Sequence, residues 1–184
     1  MEKLNKTKKL LEKNYNFKNI KYKYFPKTNE ELKELINDLI KKYGDEVDLN
    51  NINVSNITDF NNLFKYKCCF NGNISEWDVS NGISFFYMFF NNKKFNSNLS
   101  QWDVSNGINF SEMFRICEKF NSNIFKWNVS NGEYFNFMFY GCKSFNADLS
   151  QWCVNNAKSF LNFASYSLLE KYPERIPEKF KTNQ

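Results

Sequence analysis

Asp78 and Asp103 are the side chains whose type and spacing could do acid–base work. Each stands between a Trp and a Val, as Trp77-Asp78-Val79 and Trp102-Asp103-Val104, and Asn53, Asn128 and Cys153 continue the series. If these segments stack like neighbouring strands, the two carboxylates lie about 5 Å apart. At that separation they could perturb each other's protonation, hold a cation, or serve as the acid and base of a glycosidase-like site. The plainer reading is an Asp that bonds its own main chain. Histidine is absent, which removes Ser/His and Cys/His nucleophile pairs and imidazole metal sites. The five cysteines (Cys68, Cys69, Cys117, Cys142 and Cys153) are an odd number without CxxC spacing. That pattern fits neither a disulfide framework nor a zinc ribbon, and suits a reducing compartment. Adjacent Cys68 and Cys69 could ligate or cross-link, with simple packing as the default. Stacking would also bring Cys117 and Cys142 within disulfide range, although Asn92 fills the same slot one unit earlier. No cofactor or metal is expected.

The elements that must position these residues follow from a repeat. Trp77, Trp102, Trp127 and Trp152 are spaced by 25, and their surroundings keep step. Phe70, Phe95, Phe120 and Phe145 precede each Trp by seven, and Ile74, Leu99, Ile124 and Leu149 by three. Val79, Val104, Val129 and Val154 follow by two, then Asn81, Asn106, Asn131 and Asn156, then Phe85, Phe110, Phe135 and Phe160. A degraded leading copy runs from Leu49 to Phe64. The Trp-x-Val alternation predicts a short strand, and Phe85, Met88 and Phe89 at i, i+3 and i+4 predict a short helical turn. Asp59, Ser84 and Asn109 stand where they could cap that turn. No single unit can bury this much apolar surface, so the units must stack and align like residues in columns. The Asn column then belongs at a bend, its amides bonded to main chain. Asn106→Ala is expected to cost about 1–3 kcal/mol if that amide is buried.

This predicts an α/β fold, a right-handed leucine-rich-repeat-like solenoid of about five coils over residues 48–166, each pairing a short strand with a short helical turn. Residues 1–47 form a Lys-rich helical N-terminal cap and 167–184 a C-terminal cap or tail. Thr28-Asn29-Glu30-Glu31 resembles a capping box, and Leu32, Leu35, Ile36, Leu39 and Ile40 make an apolar stripe ending at Gly44. Leu4, Leu10 and Leu11 suggest a weaker helix, and residues 22–25 a strand. Leu168, Leu169, Tyr172, Ile176 and Phe180 would cover the last coil.

The segment Phe95-Asn96-Ser97-Asn98-Leu99-Ser100-Gln101-Trp102-Asp103-Val104-Ser105-Asn106, followed by Met113-Phe114, resembles the bacterial surface protein 25/26-residue repeat, also described as the BspA-family leucine-rich-repeat-like or DUF285 repeat. The resemblance covers about residues 22–165. It implies a leucine-rich-repeat-like solenoid and, for many members, a cell-surface or secreted location with adhesive roles. Two departures stand out. Gly82, Gly107 and Gly132 follow the Asn where the family carries Val or Ile, predicting a tighter bend or a looser coil. No signal peptide or anchor is visible, which favours the cytoplasm by default.

Composition narrows the function classes. The chain of 184 residues is 42% hydrophobic and 19% aromatic with mean hydropathy −0.64, a folding composition without a run long enough to span a membrane. Net charge is +5, and 23 of the 25 basic residues are Lys, with only Arg115 and Arg175 as exceptions. Most of the excess sits in the first 46 residues, a solubilising bias rather than the Arg-rich face of a nucleic-acid binder, so no nucleic acid is expected. Phe86, Tyr87, Phe90, Phe125, Tyr134, Phe137 and Tyr140 are aromatic at positions the repeat does not require, since Glu112 and Arg115 occupy two of the same slots. Clustered aromatics mark partner surfaces, while packing between coils is the plainer alternative. The resulting expectation is a non-catalytic protein-interaction module. Its partner-binding candidates are these seven aromatics with Asp78 and Asp103, and its structural residues are the four Trp and four Asn. The alternatives are a structural subunit that self-associates and a carbohydrate-active enzyme using the Asp column.

Overall fold

The structure is a computed structural model and describes residues 21–183. The weaker helix expected at Leu4, Leu10 and Leu11 lies outside those residues.

Helix α1 (Asn29–Tyr43) forms where the capping signals predict it. Thr28 Oγ1 accepts from the Glu31 amide at 3.2 Å, which satisfies one orphan donor of the first turn, and the Glu31 carboxylate accepts from the Lys27 amide just ahead of the cap at 2.8 Å. Gly44, at φ 88°, ends the helix by donating to the Ile40 carbonyl. Leu32, Ile36 and Leu39 are buried against the first unit.

Between α1 and the C-terminal segment the backbone runs in turns, joined sideways by isolated parallel bridges. Four of these make one continuous column, Asp59 to Ser84 to Asn109 to Tyr134 to Ser159. This corrects the expected strand at Trp-x-Val. Residues 77–79 enter no bridge, and three of the bridging residues, Asp59, Ser84 and Asn109, are those expected to cap a helical turn. The segment 85–89 is likewise not helical. Alternate amides of Phe85, Tyr87, Phe89 and Asn91 donate to the next unit's Asn109, Ser111, Met113 and Arg115. The intervening amides of Met88, Phe90 and Asn92 close turns onto Phe85, Tyr87 and Phe89. Such a path needs left-handed residues at fixed points, and it has them at Asn62, Tyr87, Glu112, Phe137 and Asn162, and again at Tyr66, Asn91, Ile116, Gly141 and Tyr166. An i, i+3, i+4 apolar pattern therefore arises here without a helix, because turns of three residues give the same spacing. Tyr24 makes one bridge to Ile52 rather than a strand over residues 22–25.

Like residues do form columns. Successive Trp rings from Trp77 to Trp152 lie 6.4–6.5 Å apart and within 7° of parallel. Phe60, Phe85, Phe110 and Phe135 stack at 5.3–5.5 Å, and Phe64, Phe89, Phe114 and Phe139 at 5.3–5.7 Å. All these Phe side chains are buried. Trp77, Trp102 and Trp127 donate Nε1–H to the carbonyls of Leu49, Ile74 and Leu99, 28 residues back, at 2.9–3.1 Å. Trp152 Nε1 has no such partner.

The glycines after the Asn are needed for space. None of the three has a positive φ, yet a Cβ on Gly82 would sit 2.5 Å from Phe85 Cζ, and Gly107 and Gly132 are similarly crowded by Phe110 and Phe135. Gly here admits the aromatic column.

The Asn column bonds main chain: Asn81, Asn106, Asn131 and Asn156 donate Nδ2–H to the carbonyls of Ser55, Ser80, Ser105 and Ser130 at 2.7–2.8 Å. These residues are exposed, so loss of one such bond costs nearer 1 kcal/mol than 3. A second ladder runs through Asn71, Asn96, Asn121 and Asn146, each of the first three accepting at Oδ1 from the amide of the next at 2.7–3.1 Å.

Side chains complete the rungs that end at either face of the stack. At the helix side Asn29 Nδ2 donates to the carbonyls of Asp59 and Asn61 at 3.0 and 3.1 Å, and the Glu46 carboxylate accepts from Asn71. At the other side short 3₁₀ turns (Leu169–Lys171, Pro173–Arg175 and Glu178–Asn183) fold over the last unit. Arg175 donates to both the side-chain oxygen and the carbonyl of Asn146, and so closes the second ladder. The Lys179 ammonium reaches the Asn155 carbonyl at 2.9 Å, the position a further Asn of the first ladder would serve. Phe180, fully buried, covers Phe135, Phe160 and Phe163 at 4.7–5.3 Å.

Candidate binding surface

Stacking places equivalent outward positions side by side, and on one flank several of these are aromatic or cationic. Lys65, Phe90, Arg115 and Tyr140 occupy one repeat position, and Asn62, Tyr87, Glu112, Phe137 and Asn162 another. The second set lies in the left-handed region throughout, which turns its side chains outward from the buried Phe columns.

The rings interlock both within and across units. Tyr66 meets Phe90 edge-on at 5.2 Å, Tyr87 meets Phe90 at 5.0 Å, Phe137 meets Tyr140 at 5.7 Å, and Tyr140 meets Tyr166 at 5.0 Å. Arg115 fills the gap between the two aromatic pairs. Its guanidinium carbon lies 5.0 Å from the ring centres of Phe137 and Tyr140 and 5.6 Å from Phe90. Glu112 pairs with Arg115 at 2.7 Å, while Arg115 Nε is buried without a hydrogen-bond partner. At the other side of Tyr87 the Lys65 ammonium sits 4.0 Å from the ring centre. Burial, followed by the hydrogen bond to the Glu112 carboxylate, raises the Tyr87 hydroxyl above the usual phenol range.

The result is a strip across five successive units, from Lys65 and Tyr66 through Tyr87, Phe90, Glu112, Arg115, Phe137 and Tyr140 to Tyr166. Its middle is half-buried and its ends are open, with Tyr66 63% and Tyr166 70% exposed. Cations facing ring faces and phenols at the rim suit contact with another macromolecule: much rigid area, little rotamer entropy to lose, and polar groups at the margin.

The seven candidate aromatics divide among three places. Tyr87, Phe90, Phe137 and Tyr140 belong to the strip, and Phe86 abuts it, its ring 4.1 Å from Tyr87. Phe125 is exposed beside a shallow depression of about 420 Å³ lined by Asn121, Asn123, Asn146, Ala147 and Asp148. Tyr134 is exposed in the bridge column. Tyr66 and Tyr166 carry no repeat signal, because they stand one residue past the aromatic slots, at a turn position where Asn91, Ile116 and Gly141 are not aromatic. Glu112 and Arg115 interrupt the aromatic pattern in sequence, whereas in the structure Arg115 joins the two halves. A groove of about 630 Å³ runs beside the exposed Asn column, with Ile83, Ile108 and Glu133 along it.

The Asp column is engaged locally. Asp78 Oδ1 accepts from the Ser80 amide at 3.2 Å and its hydroxyl at 2.6 Å, and Asp103 Oδ1 accepts from the Ser105 amide at 3.0 Å. Asn53 and Asn128 do the same with Ser55 and Ser130, so the shared role of the column is a turn closed by a short side chain. Among the described residues no three of His, Cys, Asp and Glu group as a metal cage, and no helix is long and apolar enough to cross a membrane. Cys117 and Cys142 are free and buried, each donating S–H to a carbonyl of the preceding unit, Phe89 at 3.0 Å and Phe114 at 2.9 Å.

No curated protein and no solved structure matches the chain. The family model described as Mycoplasma protein of unknown function, DUF285, matches residues 30–152, which runs from the first turn of α1 to the fourth stacked tryptophan, and the chain belongs to that family.

Proposed function

We propose that the stacked units are the coils of a right-handed, leucine-rich-repeat-like solenoid of the bacterial surface protein type, and that it works as a non-catalytic module recognising a protein partner through the strip. The observation that carries this reading is the placement of Tyr66, Tyr87, Phe90, Arg115, Phe137, Tyr140 and Tyr166 on one flank, at positions the buried columns do not use. The engagement of Asp78 and Asp103 in local turns supports binding over carbohydrate chemistry. Cell-surface or secreted location, as the repeat resemblance implies, is part of the same reading.

The test compares wild type with Phe137→Ala plus Tyr140→Ala in quantitative affinity capture from the native organism and from host material. Each truncation at a contact centre costs about 1–3 kcal/mol, so a specific partner is recovered at least tenfold less well by the double variant. Asp78→Asn plus Asp103→Asn leaves capture unchanged. Equal recovery by wild type and the aromatic variant contradicts the reading. A concentration-dependent mass in size-exclusion chromatography, lost in the same variant, assigns the strip to self-association instead.

A further inference from the structure

Cys68 and Cys69 have no part in the columns or the strip. They are the two central residues of a turn closed by the Phe70 amide donating to the Lys67 carbonyl at 3.0 Å. The same turn recurs in each following unit, where its centre is Lys93-Lys94, Glu118-Lys119 and Lys143-Ser144. Nothing in the repeat therefore calls for sulfur at these sites. Unlike Cys117 and Cys142, Cys68 is exposed and Cys69 partly so.

Three contacts hold the turn. The Lys94 amide donates to the Cys68 carbonyl at 3.2 Å. The Lys67 ammonium bonds Asn37 Oδ1 of α1 at 2.5 Å. Buried Asn92, with its amide oriented to satisfy its neighbours, donates to the carbonyls of Lys67 and Phe70 at 2.6 and 3.0 Å and so grips both ends. On this fixed frame the two sulfurs lie 3.6 Å apart and share a hydrogen bond. That holds two soft donors at bridging distance before any ligand arrives, and removes the ordering cost of bringing them together.

We propose that Cys68 and Cys69 form a two-sulfur site for a soft, thiophilic centre that needs only two protein ligands, of the class of cuprous ion or a monosubstituted trivalent arsenical. Zinc is the wrong guest, since its structural sites take four protein ligands and no third ligand of the usual types joins these two among the described residues. Thiolates select soft ions, which leaves those that two sulfurs can satisfy. With a phenylarsenic(III) oxide, two As–S bonds form, the As=O bond is lost, and both thiol protons leave with that oxygen as water. No oxidation state changes. With cuprous ion the two protons pass to buffer.

The experiment uses the full chain, reduced, with phenylarsine oxide as one probe and cuprous ion under a competing chelator as the other. Native mass spectrometry should show one arsenical adduct that survives excess monothiol and is removed by excess dithiol. Cys68→Ser and Cys69→Ser should each reduce retention under monothiol by at least tenfold, with unaltered thermal unfolding, whereas Cys153→Ser retains the adduct. One equivalent of copper should be held by wild type and lost from the same two variants. Capture of only one probe narrows the guest to that element. Failure of folded wild type to hold either probe, or retention undiminished in Cys68→Ser, overturns the proposal.

Discussion

At the scale of single residues, sterics and burial decide most outcomes. Gly107 sits where any Cβ would strike the Phe110 ring, and that ring is wedged between Phe85 and Phe135 at 5.5 and 5.4 Å and cannot retreat. Gly107→Ala is expected to lower unfolding free energy by about 1–3 kcal/mol, read as a reduced urea midpoint at unchanged slope. Thiol chemistry separates the cysteines. Burial pushes the Cys117 and Cys142 thiols well above their ordinary range. Native protein at mildly alkaline pH should therefore label at Cys68, Cys69 and Cys153 and acquire the other two only on unfolding. The raised values also set a sign: the folded state holds these two protons more tightly than the unfolded chain. Their contribution is complete below the ordinary thiol pKa of about 8.5 and is lost as pH rises above it, so stability falls on the alkaline side. A Cys117→Val, Cys142→Val variant should show a flatter alkaline limb in the same denaturation series.

At the scale of elements, the ends of the stack are where the design differs from its interior. Interior units pass hydrogen bonds to one another, while the last unit relies on Arg175, Lys179 and Phe180 to stand in for a unit that does not follow. Phe180→Ala should destabilise by about 3–5 kcal/mol, because it uncovers three Phe rings at once. A loss near that of an exposed substitution, measured by thermal unfolding, would show that the tail is not a cap. Helix α1 was legible because its signals are local: Thr28 and Glu31 at the start, an apolar stripe, and Gly44 at the end. The coil interior was less so. Trp-x-Val alternates as a strand does, yet the bridges form at Ser84 and Asn109, and Phe85, Met88 and Phe89 space like a helix while following a chain of turns. Short periods of two and three to four residues do not distinguish these states when every rung is stabilised from outside by its neighbours. The Asn71 to Asn146 ladder shares the 25-residue spacing, but Asn recurrence alone does not reveal its donors, which are backbone amides one unit away.

At the scale of the whole molecule, one long-range regularity organises everything: the 25-residue spacing of the tryptophans. It was readable from sequence, and so was the alignment of like residues, because only stacking can bury so many aromatics. The aromatic strip was half readable. Excess aromatics pointed to a surface, but the join through Arg115 and the ends at Tyr66 and Tyr166 depend on left-handed turn positions that only the fold fixes. If like residues stack along one axis, a unit can be excised at its own length and the columns will close in register. Deleting residues 96–120 joins Phe95 to Asn121 and preserves the phase of every column. The measurement is the thermal unfolding of that variant, followed by near-ultraviolet circular dichroism, beside a variant lacking residues 96–108. The account predicts a cooperative transition with a retained aromatic signal for the first and no folded signal for the second. An unfolded in-phase deletion, or an out-of-phase deletion that folds as well, would contradict it.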